Sequence, residues 1–403
     1  MSAHARVAPS SLALTVACNY SLQLQESVPA LPPTEEEAEG TAAHWVARRY
    51  AAGFGHELPV NTKFHSEGKS WTVTADMYAG AKLYERALGG AHAELHIEEH
   101  VTIPRVHETD CEGTPDAWRF YIDARLAWEV CPAQISLDRF VYGHVRVLRV
   151  GDYKFGHRYV DAFENFQCAA GYASGLMERL LLNDNDPDLY VEIIVVQPRN
   201  YHPDGHVRRW LVPAIALRPL VNIAYMAAHA ALGPKPTAKT GDHCIDCKAR
   251  HACVVLQHNT MHLADFAMTG ERVELPAWAV GQELTIVRDA IKQLEARETG
   301  LAAQAESYIS AGKTVPFYHM EPGRTVLTYL EDVKADELVS LGDLLNIDLR
   351  RTLALKDQIV TPTQAIQLGI DEAVMKSYAH RPRGKLKLAR DNTTTARKVF
   401  TKP

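Results

Sequence analysis

The first strongly patterned stretch begins at Thr34. Three glutamates follow it, Thr34 stands as a cap, and Glu37 occupies the capping-box position ahead of an apolar stripe. The pattern predicts a helix to about residue 52, ended by Gly53 and Gly55. Pro29, Pro32 and Pro33 separate it from an earlier helix that Ser10 or Ser11 would cap and that carries Cys18. Helical spacing returns over 71–88. After Gly89-Gly90 the period drops to near alternation, so 94–103, ended by Pro104, reads as a strand. Residues 116–122 and 144–154 read the same way, 165–182 as a helix, and 189–197 as a β-branched strand covered on both faces. A meander, a crossover helix and a further strand predict an α/β core with a mixed sheet flanked by helices. Residues 198–240 read as a Pro/Gly-punctuated transition. Beyond about 258 the pattern is helical, with helices over 280–303 and 335–354.

Composition adds boundaries to this picture. The chain has 403 residues, enough for two or three domains, and 46% hydrophobic with 23% charged residues excludes wholesale disorder. A net charge of −6 provides no global basic field, so a polyanion would have to be met by a local patch or by metal ions. The tail 381–403 is the exception, with eight basic residues against one aspartate; it reads as a solvated extension or a set of phosphate contacts. Residues 11–18 are too short for a signal peptide. The apolar run 211–233 contains Pro213, Arg218, Pro219, Asn222 and His229, which argues against a membrane span. The expectation is a soluble cytoplasmic protein.

Candidate chemistry lies in two places. Asp116 opens one predicted strand, and Asp152 and Lys154 share a face at the end of the next. Two carboxylates brought together can hold Mg²⁺ or Mn²⁺, with the ammonium positioned to stabilise developing charge. Alone, Asp-x-Lys is an ordinary surface pair. His44, on the capped helix, and Gln167 and Tyr172, five apart on the later helix, add polar groups; Glu98 is a weaker addition. The second place is cysteine-rich. Seven cysteines are too few for a disulfide scaffold, yet Cys244, Cys247 and Cys253 fall within ten residues, which suits zinc or an iron–sulfur cluster in a reducing compartment. Cys18 is the candidate fourth ligand, with His243 or His251 as alternatives for zinc. Cys111, Cys131 and Cys168 read as small buried apolar residues.

The set His44, Gly113-x-x-Asp116, Asp152-x-Lys154 and Gln167-x4-Tyr172 resembles the RecB-like branch of the PD-(D/E)XK nucleases, which includes CRISPR-associated adaptation exonucleases and AddB. Ser11-Leu12 before Cys18 and the late Cys-x2-Cys-x5-Cys resemble that branch's iron–sulfur ligands. Glu39-Gly-Thr-Ala-Ala-His44, Asp152-Tyr-Lys-Phe-Gly156 and Glu164-Asn-Phe-Gln167 are similar to phage- and prophage-encoded members. Two departures stand out: Asn19 replaces the proline often found after the first cysteine, and a long stretch from Asp123 to Gly151 separates the two metal-binding strands.

The resemblance implies a restriction-endonuclease-like core in a nuclease domain over 1–258, a mainly helical region over 259–380 and a basic tail over 381–403. It implies metal binding by Asp116 and Asp152, with His44 as a further ligand or phosphate contact. Lys154 would be the catalytic lysine, with Gln167 and Tyr172 orienting it or the DNA strand. Cys18, Cys244, Cys247 and Cys253 would hold a structural 4Fe–4S cluster. The implied activity is an exonuclease acting on single-stranded DNA or DNA ends, beside phage replication or recombination proteins in a bacterial host. The alternative is a non-catalytic DNA-end-binding or replisome interaction protein with an iron–sulfur or zinc site. No Walker A motif is present, so helicase activity would have to come from a partner.

Overall fold

The chain opens with α1 (Leu12–Ala17) and α2 (Tyr20–Ser27), followed by α3 (Glu35–Ala51). At α3 the capping box is in place: Glu37 N donates to Thr34 Oγ1 at 3.2 Å, and Thr34 N to Glu37 Oε2 at 2.8 Å. Cys18 lies at the break between α1 and α2, not within a helix, and the Ser11 hydroxyl turns back to Ala8 O instead of capping α1. The computed structural model describes residues 5–29, 34–55, 62–66, 69–89, 95–123, 145–200, 202–269, 276–323, 325, 327–330, 333–350, 359–382 and 386–390. Cys131 and the tail beyond Arg390 lie outside them. The chain divides into two units, Met1–Gly300 and Leu301–Pro403.

Two sequence expectations need correction in the first unit. The helix expected from residue 71 starts at Ala75, because Trp71 and Thr72 belong to a hairpin of β1 (Lys63–Ser66) and β2 (Lys69–Thr72). Aromatic and β-branched residues favour the strand, and the Thr74 side chain then caps α4 (Ala75–Leu88) by accepting from Met77 N. The strand expected over 94–103 is two short ones, β3 (His96–Ile97) and β4 (Val101–Thr102). Glu98 sits at a left-handed φ of 48°, which breaks the pleat. β4 pairs with β5 (Glu112–Gly113), while β3 joins the main sheet.

That sheet has the order β3-β6-β7-β8-β9, with β6 (Ala117–Asp123), β7 (Val145–Tyr153), β8 (Leu189–Val196) and β9 (Val207–Pro213). β7 and β8 run parallel and the other pairs are antiparallel, a mixed α/β sheet as expected. The crossover between β7 and β8 is α5, π-wound over Gln167–Ala173 and α-helical over Ser174–Arg179. β8 is covered on both faces. Val191, Ile193 and Val195 share a core with Leu148, Val150 and α5, while Ile194 and Val196 share one with α3 and α4.

The stretch 198–240 is more regular than its sequence suggests. β9 escapes an alternation test because one of its two buried positions is Arg208, which donates to Val160 O, Gly205 O and Gln197 Oε1. α6 (Arg218–Leu232) follows, burying Ala224, Ala227, Ala228 and Ala231 and packing against α1 and α2. By length and composition alone, Ala214–Leu232 is long and apolar enough to cross a membrane. α6 is anchored at its start, where Arg218 grips Asp184 through bonds of 2.9 and 2.8 Å and Arg105 adds one of 3.3 Å. The Arg218 hydrogen bond holds the Asp184 carboxyl below its ordinary value against the opposing effect of burial. A depressed carboxyl contributes stability above its unfolded-state pKa and loses it as pH falls through the folded-state one. Asp184→Asn is therefore expected to cost about 1–2 kcal/mol in denaturant melts at neutral pH, and the deficit should vanish on acidification through the carboxylate range.

The first unit ends with the thiol-rich segment, α7 (Val254–Thr269) and most of α8 (Ala277–Ser310). The second unit adds short strands to helices of the kind expected over 259–380. It contains β10 (Tyr318–Pro322) paired with β13 (Leu386–Arg390), and β11 (Thr328–Tyr329) paired with β12 (Ala379–His380). Its helices α9 (Ala335–Leu344), α10 (Pro362–Gln367) and α11 (Glu372–Met375) close on a core of Leu338, Leu349, Ala365, Ile370 and Met375.

Candidate functional site

The β6–β7 register pairs Ala117 with Gly151, so one step further Asp116 faces Asp152 across the ladder. Asp116 Oδ2 accepts from Tyr153 N at 2.8 Å, and its Oδ1 lies 3.4 Å from His44 Nδ1 on α3. Asp152 is buried. Its Oδ1 accepts from Lys154 Nζ at 2.8 Å and from Gln167 Nε2 at 3.1 Å. Gln167 Oε1 in turn lies 3.4 Å from Lys154 Nζ. The strand pleat points Asp152 and Lys154 to the face that α5 covers, where Gln167 meets them. Asp116, Asp152, Lys154, His44 and Gln167 thus converge at one end of the sheet.

Tyr172 joins this group through the winding of α5. In an α-helix residues five apart diverge, but here Gly171 N bonds back to Phe166 O at 2.9 Å, and the wider π turn brings Tyr172 under Gln167, to which it is hydrogen-bonded. Gly113 and Gly171 leave no room for a side chain, since a Cβ on either would meet Pro9 within 3 Å. The segment leading to Cys18 is thereby pressed against α5. Glu98 stands apart. It pairs with Arg48 at 2.7 Å, and its backbone N–H, not its carboxylate, reaches the Asp116 carbonyl.

The charges of the group are interlocked. Burial pushes the Asp116 carboxyl up, but His44, Lys154 and the Tyr153 amide together outweigh it and hold the acid below its ordinary value. For Asp152 burial wins: with Asp116 as a like-charged neighbour it rises, despite the opposing pull of Lys154. Burial disfavours the Lys154 ammonium, but Asp152 and Asp116 reverse that and raise it. Asp152 Oδ2 is buried with no hydrogen-bond partner among the described residues. An orphaned acceptor beside a second carboxylate is an arrangement that a hard cation such as Mg²⁺ or Mn²⁺ would satisfy. His44 does not complete a three-ligand set in this conformation: donor atoms of His44, Asp116 and Asp152 do not all lie within 4.8 Å of one another.

The four predicted thiols also converge. Cys18, Cys244, Cys247 and Cys253 line one cavity with Leu14, Leu24 and Leu256. Backbone amides approach three of the sulfurs: Lys239 N lies 3.5 Å from Cys18, Gly241 N 3.4 Å from Cys244 and Leu256 N 3.5 Å from Cys253. His243 lines the cavity too and is hydrogen-bonded to Cys18 and Cys244. His251 is not part of the lining; its backbone packs on Gly300 of α8. No three of the four sulfurs lie mutually within 4.8 Å, whereas tetrahedral zinc with Zn–S of about 2.3 Å needs thiolates about 3.8 Å apart. Arg158, just beyond Lys154, pairs with Asp246 between the first two late cysteines, which ties the two sites together. Cys111 and Cys168 are buried apolar residues, as expected.

A family model described as Protein of unknown function (DUF2800) matches residues 137–395, well over half of the chain. The chain belongs to that family. The DUF2800 match contains Asp152, Lys154, Gln167, Tyr172 and the three late cysteines, while His44, Asp116 and Cys18 precede it. No curated protein matches the chain.

Sequence reasoning missed the part that Tyr153 plays. Its amide donates to Asp116, and its ring packs at 5.4 Å from His44 and 5.3 Å from Tyr84. Gly80 on α4 admits its hydroxyl, which a Cβ there would strike. Arg199 was missed as well: it grips Glu39 at 2.8 and 2.9 Å and lies over Phe155, holding α3 and so His44 against the sheet end. A lone tyrosine or arginine carries no spacing signal that sequence could have flagged.

Proposed function

We propose that this DUF2800 chain is a metal-dependent deoxyribonuclease with a PD-(D/E)XK-type core, acting on single-stranded DNA or DNA ends. The observation that carries this reading is the meeting of Asp116 and Asp152 where β6 and β7 join, Asp116 accepting from Tyr153 N, with Lys154 bonded to Asp152 and one buried carboxylate oxygen left without a partner. Asp116 and Asp152 would hold Mg²⁺ or Mn²⁺. When bound, such an ion lowers the pKa of a water and offsets charge on a scissile phosphate. Lys154, kept protonated by the two carboxylates, would donate to the phosphate oxygens as negative charge builds on them. Gln167 holds that ammonium in place, Tyr172 buttresses Gln167, and His44 orients Asp116 or contacts a flanking phosphate.

Four thiols lining one cavity support a 4Fe–4S cluster, with zinc as the alternative. It would serve as a structural staple between the N-terminal helices and the segment before α7. The partners this reading calls for are DNA and phage replication or recombination proteins, met in the cytoplasm of a bacterial host.

The test is cleavage of end-labelled single- and double-stranded DNA by anaerobically purified protein with Mn²⁺ or Mg²⁺. Chelator-sensitive release of nucleotides from ends is expected. Intact DNA of every form after incubation with either ion would sink the reading.

A further inference from the structure

We propose that His107, Glu108 and His229 form a separate metal site for a borderline ion of the Zn²⁺ class, remote in composition from both the carboxylate pair and the thiols. His107 and Glu108 lie on the turn between β4 and β5, and His229 lies near the end of α6. One donor atom from each lies within 4.8 Å of the other two, the one such trio of His, Cys, Asp or Glu among the described residues.

The hydrogen bonding around His229 favours a cation. Its Nδ1 lies 2.9 Å from Tyr225 O, and a carbonyl can only accept, so the ring donates its proton there. In the neutral ring the Nε2 lone pair then faces Glu108 Oε2 at 3.3 Å. Two acceptors at that distance repel unless a proton or a metal lies between them. An imidazole that donates one nitrogen to a carbonyl and offers the other outward is the arrangement that orients histidine as a metal ligand. The Tyr225 ring, 4.0 Å from that of His229, holds its plane.

His107 supplies the second imidazole, its ring 4.7 Å from that of His229. His107 Nδ1 accepts from Asp110 N at 3.1 Å and lies 3.4 Å from Asp110 Oδ2. Binding a metal through the other nitrogen would move the ring proton to Nδ1, so the Asp110 and Thr109 amides that now donate there would have to turn away and leave the Asp110 carboxylate to accept it. Two imidazoles and one carboxylate suit Zn²⁺, Co²⁺ or Ni²⁺, whereas Mg²⁺ and Ca²⁺ favour oxygen ligands. Glu108 is well exposed, leaving water free to complete the coordination. Such an ion would clip α6 to the turn that leads through β5 to Asp116, bracing that strand from outside.

Co²⁺ titrated into the full-length protein, purified anaerobically, tests this. Beyond the Co²⁺ that the Asp116 and Asp152 pair takes, the parent is expected to bind one equivalent with ligand-field absorption but no thiolate charge-transfer bands. His107→Gln and His229→Gln should each lose that equivalent while melting as the parent does, and Asp152→Asn should keep it. In the parent itself the ring-proton resonances of both histidines should broaden as Co²⁺ is added, a readout that needs no variant. Sharp histidine signals, or an equivalent that survives both glutamine variants or disappears in Asp152→Asn, would overturn the site. Because the readout is metal binding and not cleavage, the result stands or falls apart from the nuclease reading.

Discussion

Lys154→Ala is expected to lower divalent-ion-dependent DNA cleavage by about 10²–10³-fold or more, the usual loss when a donor aimed at developing charge is removed. The ammonium is bonded to Asp152 at 2.8 Å and steadied by Gln167. Its removal has a second consequence. Asp152 already sits above its ordinary carboxyl value because of burial and the nearby Asp116, and Lys154 is what opposes that rise. Without it the acid favours its neutral form, so the variant should need more Mn²⁺ as well as turn over more slowly. Lys154→Arg is not a safe replacement, since a planar fork does not reproduce a compact point charge. Asp152→Asn should be as inactive while remaining folded, because an amide oxygen can still accept from Lys154 and Gln167. Cleavage rates across a Mn²⁺ series, read beside thermal melts, give the result. Parental rates in both Lys154→Ala and Asp152→Asn would show that the sheet-end cluster is not where DNA is cut.

Replacing Cys247 by serine is expected to give the largest stability loss of any single change in the first unit. A bound cluster would close a loop of 226 residues between Cys18 and Cys244, and loop-closure entropy puts such a constraint at about 5 kcal/mol. The surrounding wall is thin: Leu14, Leu24, Cys247 and Ala249 form a small satellite core of their own. With the staple gone, α1 and α2 keep their packing on α6 and the press of Pro9 on Gly113 and Gly171, so the variant should melt in two steps. Iron and sulfide analysis of the parent, with melts of both proteins, checks this. Iron-free parent protein with unchanged melting of Cys247→Ser would remove the cluster from the account. Stoichiometric zinc in the parent would favour the tetrahedral alternative, which would require the sulfurs to draw closer.

Local chemistry made some of this architecture legible in the sequence. Thr34 and Glu37 specify a helix start whatever surrounds them, because the capping box is closed within four residues. β8 was readable since a strand buried on both faces is apolar at nearly every position, with Glu192 the exception, and Asp152 and Lys154 share a face through the two-residue period alone. The clustering of Cys244, Cys247 and Cys253 likewise survives any fold. What needed tertiary structure was whatever depends on partners distant in the chain. Glu98 breaks a run that alternates well, because β3 and β4 serve different sheets. β9 hides behind Arg208, buried only because Gln197 and two carbonyls are there to receive it. The π winding that brings Tyr172 beneath Gln167 cannot be read from a spacing of five. The meeting of His107 and Glu108 with His229 left no mark on the sequence, since neither a His-Glu pair nor a lone histidine carries a period. Periodicity reports which face a residue takes on its own element; which side chains share a point in space is decided by register and packing between elements.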